Sequence, residues 1–151
     1  MYKRILVPID GSRTAMQGLK EAMRLAQYYE ATVRLMHVVD AFIVAAPQPG
    51  GHNIADIRKT LREQGARILA DGMALLRKQS IPADSVMEEI IGGRAAEAVV
   101  AQARKWRADL IVVGTHGRRG VSRLIMGSDA ELVARTSTVP VLLVRAKAPK
   151  R

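Results

Sequence analysis

Apolar positions along this chain follow two rhythms that take turns. Tyr2 to Ile9 (YKRILVPI) ends in a run of β-formers and is closed by Asp10-Gly11-Ser12, a turn and helix-start signal, so it predicts a first strand. Ala15, Met16, Leu19, Ala22, Met23 and Ala26 then recur at three- and four-residue spacing, with Lys20, Glu21 and Arg24 opposite, which predicts an amphipathic helix to about Tyr29. Ala31 to Val39 (ATVRLMHVV) predicts a second strand, and the Pro- and Gly-rich AFIVAAPQPGGHN a loop. Ile54, Ile57, Leu61, Ile68 and Leu75 mark a helix to about Gln79, in which Gly65 and Gly72 each lower the propensity by roughly 1 kcal/mol relative to Ala.

Ser85 to Ile91 predicts a third strand near a sheet edge, because Glu88 and Glu89 interrupt it. Gly92-Gly93 opens a helix from Arg94 to about Trp106. Asp109 to Gly114 (DLIVVG) is continuously apolar, as a central strand buried on both faces requires. Ser128 to Thr136 predicts a short helix and Pro140 to Arg145 (PVLLVR) a last strand. This alternation implies an α/β fold, a doubly wound parallel sheet with right-handed crossovers and helices on both faces. Ligands in such sheets bind beyond the carboxyl ends of the strands, where the winding reverses.

Composition narrows the picture. A chain of 151 residues with 48% hydrophobic and 3% aromatic residues makes one domain with an aliphatic core. Without cysteine it has no disulfide frame or thiolate metal site, and no segment approaches the roughly 20 apolar residues of a membrane span. A soluble, cytoplasmic protein is expected. The net charge of +10 is concentrated late, where residues 101–151 carry 11 basic and 3 acidic side chains. A polyanion partner would explain that excess, but no aromatic platform accompanies it, which favours a local phosphate site plus a basic tail over nucleic acid.

The chemistry concentrates in VVGTHGRRGVSRLIMGSDAE, Val112 to Glu131, which reads Gly114-x2-Gly117-x9-Gly127-Ser128. Glycines here let the backbone approach a ligand closely, and a helix starting at Gly127-Ser128 offers free N–H groups and a positive dipole end to a phosphate. The Ser128 hydroxyl is suited to phosphate or to a bound Mg²⁺. His116 and Arg118 lie inside the loop and can add charge-assisted bonds, while Arg119 and Arg123 read equally as solvated charges. P-loop, dinucleotide-fold, nucleophile-elbow and H-E-x-x-H motifs are missing, and three histidines give a metal site little support. Asp10 reads as a ligand contact that can also cap the helix, the role an isolated Asp in this position more often has. His37 reads as a core or supporting residue rather than a catalytic base.

With KRILVPIDGS at the start, LMHVVD, ADLIVVGTHGR, the Gly127-Ser128 pair and VPVLLVR at the end, nearly the whole chain resembles the universal stress protein family in its ATP-binding branch, whose signature is G-x2-G-x9-G followed by Ser or Thr. The resemblance implies a five-stranded sheet of order 3-2-1-4-5, adenine nucleotide alpha-hydrolase-like, over residues 1–146, followed by a basic tail at 147–151. It implies ATP as ligand, with Mg²⁺ bound through the phosphates. Asp10 would meet the ribose or adenine side, Pro8 and Ile9 would shape the floor, and Val38 would line the adenine pocket. Gly114, Gly117, Gly127 and Ser128 would hold the phosphates. It also implies a homodimer through Val139 to Val144, an apolar strand that would otherwise be an exposed edge. Asp129 departs from the small apolar residue usual after the Gly-Ser pair, and near a triphosphate it repels unless Mg²⁺ or arginine intervenes. The expected role is a nucleotide-responsive stress module with no catalytic residue assigned. The alternatives are a slow or partner-dependent ATPase, with Asp129 the candidate base, and a basic nucleic-acid binder.

Overall fold

The computed structural model describes residues 1–41, 54–115 and 127–145. Five strands, β1 (Arg4–Pro8), β2 (Thr32–Asp40), β3 (Ala83–Ile90), β4 (Leu110–Gly114) and β5 (Val141–Val144), alternate with helices α1 (Arg13–Tyr29), α2 (Ile54–Lys78), α3 (Ala95–Trp106) and α4 (Ser128–Thr136). The sheet has the order β3-β2-β1-β4-β5 and every pairing is parallel, the expected doubly wound arrangement.

Alternation of side chains along each strand divides the core into two layers. Ile5, Val7, Val33, Leu35 and Val112 pack with Leu19, Ala22 and Ala26 of α1 and Leu69 and Leu76 of α2. Leu6, Met36 and Ile111 face the other way, onto Val99 and Ala103 of α3 and Leu132 and Val133 of α4. The inner strands β1 and β4 are therefore apolar on both sides, which is why Ile5 to Val7 and Leu110 to Val113 run on without polar alternation.

Two observed features were not expected from the pattern. First, β3 begins at Ala83, two residues before the apolar run, because Asp84 stands opposite Arg34 in register and accepts two hydrogen bonds from its guanidinium, each 2.6 Å. The same guanidinium lies over Trp106 at 4.6 Å, so the chain's one tryptophan covers an ion pair. A charged residue continues a strand when its cross-strand partner carries the opposite charge. Second, the glycines of α2 are contact points. A Cβ at Gly72 would lie 2.6 Å from Leu35 Cδ1, and one at Gly65 2.5 Å from His37 Cδ2. What the helix loses in propensity it regains by lying close against β2.

Candidate functional site

The sheet opens at the carboxyl end of β1. Pairing of β1 with β2 continues to Pro8 and Met36, but pairing with β4 stops at Leu6 and Ile111. The Ile9 N–H is directed to Met36 O at 2.8 Å, so the preceding nitrogen faces β4, and Pro8 has no hydrogen to place there. Proline thus separates the two strands at the point where the winding reverses.

Beyond the split the chain turns sharply. Gly11 sits at φ +80, and Asp10 Oδ1 accepts the Ser12 N–H at 2.9 Å. The cap of α1 is Ser12, whose Oγ accepts the Ala15 N–H at 3.2 Å. The capping role considered for Asp10 therefore belongs to Ser12, two residues on, while Asp10 shapes the turn. Ile9 is only 3% exposed and its side chain belongs to the α1–α2 layer. Val38 lies on the opposite face, partly buried against the α3–α4 layer.

Gly114 closes β4 in register with Val144. A Cβ there would lie 2.6 Å from Thr14 C, 2.7 Å from Thr14 O and 2.8 Å from Ala15 N, all backbone atoms. The first turn of α1 therefore rests directly on the end of β4, which brings the Asp10 turn to the strand that feeds the glycine-rich loop. Thr115, 4% exposed, anchors the loop: its N–H donates to Val144 O at 2.9 Å and its carbonyl accepts the Gly127 N–H at 2.7 Å. The loop consequently leaves and re-enters the fold at one place.

At the re-entry, Gly127 is the N-cap of α4, with φ −61 and ψ 140, and brings no side chain over the first turn. Ser128 and Asp129 are exposed there. The Asp129 carboxylate faces Arg94, the N-cap of α3, with Nε to Oδ1 at 3.7 Å. Arg94 therefore places a positive charge beside this carboxylate. Sequence spacing gave no sign of it, since 35 positions separate the two residues. His116, Gly117 and Arg118, and with them Arg119 and Arg123, lie outside the described residues.

The site thus combines a turn carrying a carboxylate, a split in the sheet and a helix N-terminus whose glycine cap brings no side chain over it. Such an arrangement can hold an anion by backbone N–H groups and an adjoining polar group by Asp10. Among the described residues no group of three or more His, Cys, Asp or Glu is placed to hold a metal ion, and no helix is long and apolar enough to cross a membrane.

Comparison with known proteins gives a consistent result. The family model described as "Universal stress protein family" matches residues 1–145. Universal stress protein MJ0531 of Methanocaldococcus jannaschii is 34% identical over 100% of this chain and 85% of its own length. Among solved structures, a universal stress protein family member from Burkholderia pseudomallei superposes with a TM-score of 0.78 at 31% identity, covering 96% of this chain and 97% of its own. The protein MJ0577 gives a TM-score of 0.86 at 26% identity, covering 99% of each chain. The same fold recurs at lower identity in a universal stress protein from Archaeoglobus fulgidus in complex with dAMP (22%, TM-score 0.67, 95% of this chain and 98% of that one). It recurs again in an AMP-bound family protein from Arabidopsis thaliana (13%, TM-score 0.70, 97% and 93%).

Proposed function

Since the chain belongs to the universal stress protein family, we propose that it is a nucleotide-responsive stress module that holds ATP with Mg²⁺ in the crevice between β1 and β4 and acts through conformation or partners. The observation that carries this reading is the Gly127 N–H bonded to Thr115 O, which brings the N-terminus of α4, capped by a residue without a side chain, to the carboxyl end of β4. Family members of the same fold that are bound to dAMP and AMP support the adenine nucleotide. Asp10 would take the ribose side, Pro8 and the Ile9 backbone would shape the floor, Val38 would line the adenine pocket, and Gly114, His116, Gly117, Arg118, Gly127 and Ser128 would surround the phosphates. Mg²⁺ would be carried chiefly by the phosphates and water, as it is wherever few carboxylates are offered, and would neutralise phosphate charge.

Binding is favoured over hydrolysis by the placement of Asp129. Its carboxylate is turned toward Arg94, which would hold it away from a water beside the phosphates. Identifying the nucleotide released on denaturing the pure protein, together with thermal shifts in AMP, ATP and MgATP, tests the binding. A sample that carries no adenine nucleotide and shows no shift with any of the three refutes it. Rapid phosphate release that disappears in Asp129→Ala would establish the hydrolase instead.

The reading extends to a homodimer in the cytoplasm. β5 is an edge strand paired only with β4 among the described residues, and its Leu143 is 36% exposed. Pairing Val139 to Val144 with the same strand of a second copy would cover that edge.

A further inference from the structure

His37 is buried to 6% exposure in β2, one residue past the last paired position of the β1–β2 ladder. Its Nδ1 lies 2.8 Å from the carbonyl of Ile9. A carbonyl only accepts, so Nδ1 carries the proton and donates. Ile9 is thereby held twice: its N–H by Met36 O at 2.8 Å and its carbonyl by His37. The next residue is Asp10, whose carboxylate fixes the Ser12 N–H at 2.9 Å, and Ser12 caps α1. The other edge of the imidazole meets α2. A Cβ at Gly65 would come within 2.5 Å of Cδ2 and 3.0 Å of Nε2, and Met87 Cε would lie 3.2 Å from that same Cβ. The ring is clamped between the bare backbone of α2 and the carbonyl that precedes the Asp10 turn.

We propose that His37 is the positioning residue of the Asp10 turn, and that through its contact at Gly65 it makes the geometry of that turn depend on where α2 sits. The proposal rests on the reading of the crevice as an adenine-nucleotide site, with Asp10 on the ribose side. His37 does not touch the nucleotide; it holds the backbone from which Asp10 projects. The glycine at position 65 follows from the same clamp, because any side chain there displaces the ring from the Ile9 carbonyl.

Three variants of the full chain test this. His37→Phe keeps a ring of similar size and removes the donor. His37→Asn places an amide N–H close to where Nδ1 stands. Gly65→Ala pushes on the ring from α2 while improving helix propensity. AMP affinity is measured by calorimetry, and the geometry of the turn by amide exchange at Ser12, with Val33 in the core as the control for global opening. Loss of one buried hydrogen bond predicts AMP binding roughly tenfold weaker and Ser12 exchange roughly tenfold faster in His37→Phe. His37→Asn should recover most of both, and Gly65→Ala should resemble His37→Phe.

Equal AMP affinity and equal Ser12 exchange in wild type and His37→Phe would overturn the proposal. So would a His37→Asn variant no better than His37→Phe, or exchange at Ser12 and Val33 rising together, which marks general destabilisation. If the wild type binds no adenine nucleotide, the functional reading fails, and Ser12 exchange still decides whether His37 positions the turn.

Discussion

Gly114→Ala separates two reasons for a glycine at the start of the loop motif. Gly114 lies within β4, and its φ is not among the positive values, so alanine meets no backbone strain at this position. The obstacle is space. Its new Cβ would approach three backbone atoms of Thr14 and Ala15 at 2.6 to 2.8 Å, where ordinary contact begins near 3.4 Å. Relief requires α1 and β4 to part by about 0.6–0.8 Å, and backbone atoms cannot rotate aside as a side chain does. α1 is also fixed by Leu19, Ala22 and Ala26 in the core. Overpacking of this kind costs about 1–3 kcal/mol, with the upper end appropriate when a whole helix must move. Against that, alanine restricts the unfolded chain and returns about 0.4–1 kcal/mol. The expected net loss is about 2 kcal/mol, equivalent to a fall in Tm of roughly 4–8 °C at this chain length. Circular dichroism melts and urea midpoints in nucleotide-free buffer measure it directly. An unchanged Tm would refute the packing argument, and if nucleotide affinity alone fell, Gly114 would serve the ligand only.

Gly127→Ser should do the reverse: a hydroxyl at the N-cap of α4 covers first-turn amides, adding about a few tenths of a kcal/mol of stability and raising Tm slightly while weakening nucleotide binding, and melts with and without AMP report both signs. Arg94→Ala leaves Asp129 uncompensated and should weaken ATP binding roughly fivefold at low salt, whereas Arg94→Ala with Asp129→Ala should return near wild type; additive effects in calorimetry would show that the pair does not act as a unit. Glu89 accepts from Arg58 and Arg62, and the hydrogen bond from Arg58 holds its carboxyl below the usual range. Its folded-state pKa being depressed, the pair stabilises the fold above the unfolded value near ~4.3 and loses that contribution as pH falls through the folded value, so Glu89→Gln should flatten the acid limb of Tm against pH. Leu143→Lys places a charge on the β5 edge and should convert a dimer to a monomer in sedimentation; a wild-type monomer would already refute the dimer.

The order of elements and the layered sheet were legible because hydrophobic burial has a period, and each helix and strand writes that period into consecutive residues. The Asp10-Gly11-Ser12 turn and the Gly127-Ser128 helix start were legible as local backbone chemistry, where a few neighbouring residues decide the turn or cap, whereas the part Pro8 plays in separating β1 from β4 was not. The contacts that tie the site together were not. Arg94 meets Asp129 across two helix N-termini, Thr115 reaches both Gly127 and Val144, and Gly114 is fitted to Thr14. Each joins segments remote in sequence, and no local pattern records such a meeting. The start of β3 was misplaced for the same reason, since Asp84 looks like a strand breaker until Arg34 is set opposite it.

The glycines make the point sharpest, because one residue type answers three different demands. Gly11 is required by a positive φ of 80 and Gly114 by a helix backbone less than 3 Å from its missing Cβ. Gly65 and Gly72 let α2 lie close over His37 and Leu35 on the strand beneath it. Helix propensity, read alone, counts the last two as defects. They are where α2 comes close enough to β2 to press on a ring that is bonded to the carbonyl before Asp10. A glycine within a helix therefore signals close approach whenever its loss of propensity, about 1 kcal/mol, is smaller than the overpacking that alanine would cause. That inequality predicts opposite outcomes for two alanine substitutions in one helix. At Gly72 the nearest atom is the end of the Leu35 side chain, which can yield, so part of the propensity gain should survive. At Gly65 the obstacle is an imidazole already tied at its far side, so the substitution should disturb the Asp10 turn even where the helix itself melts no earlier.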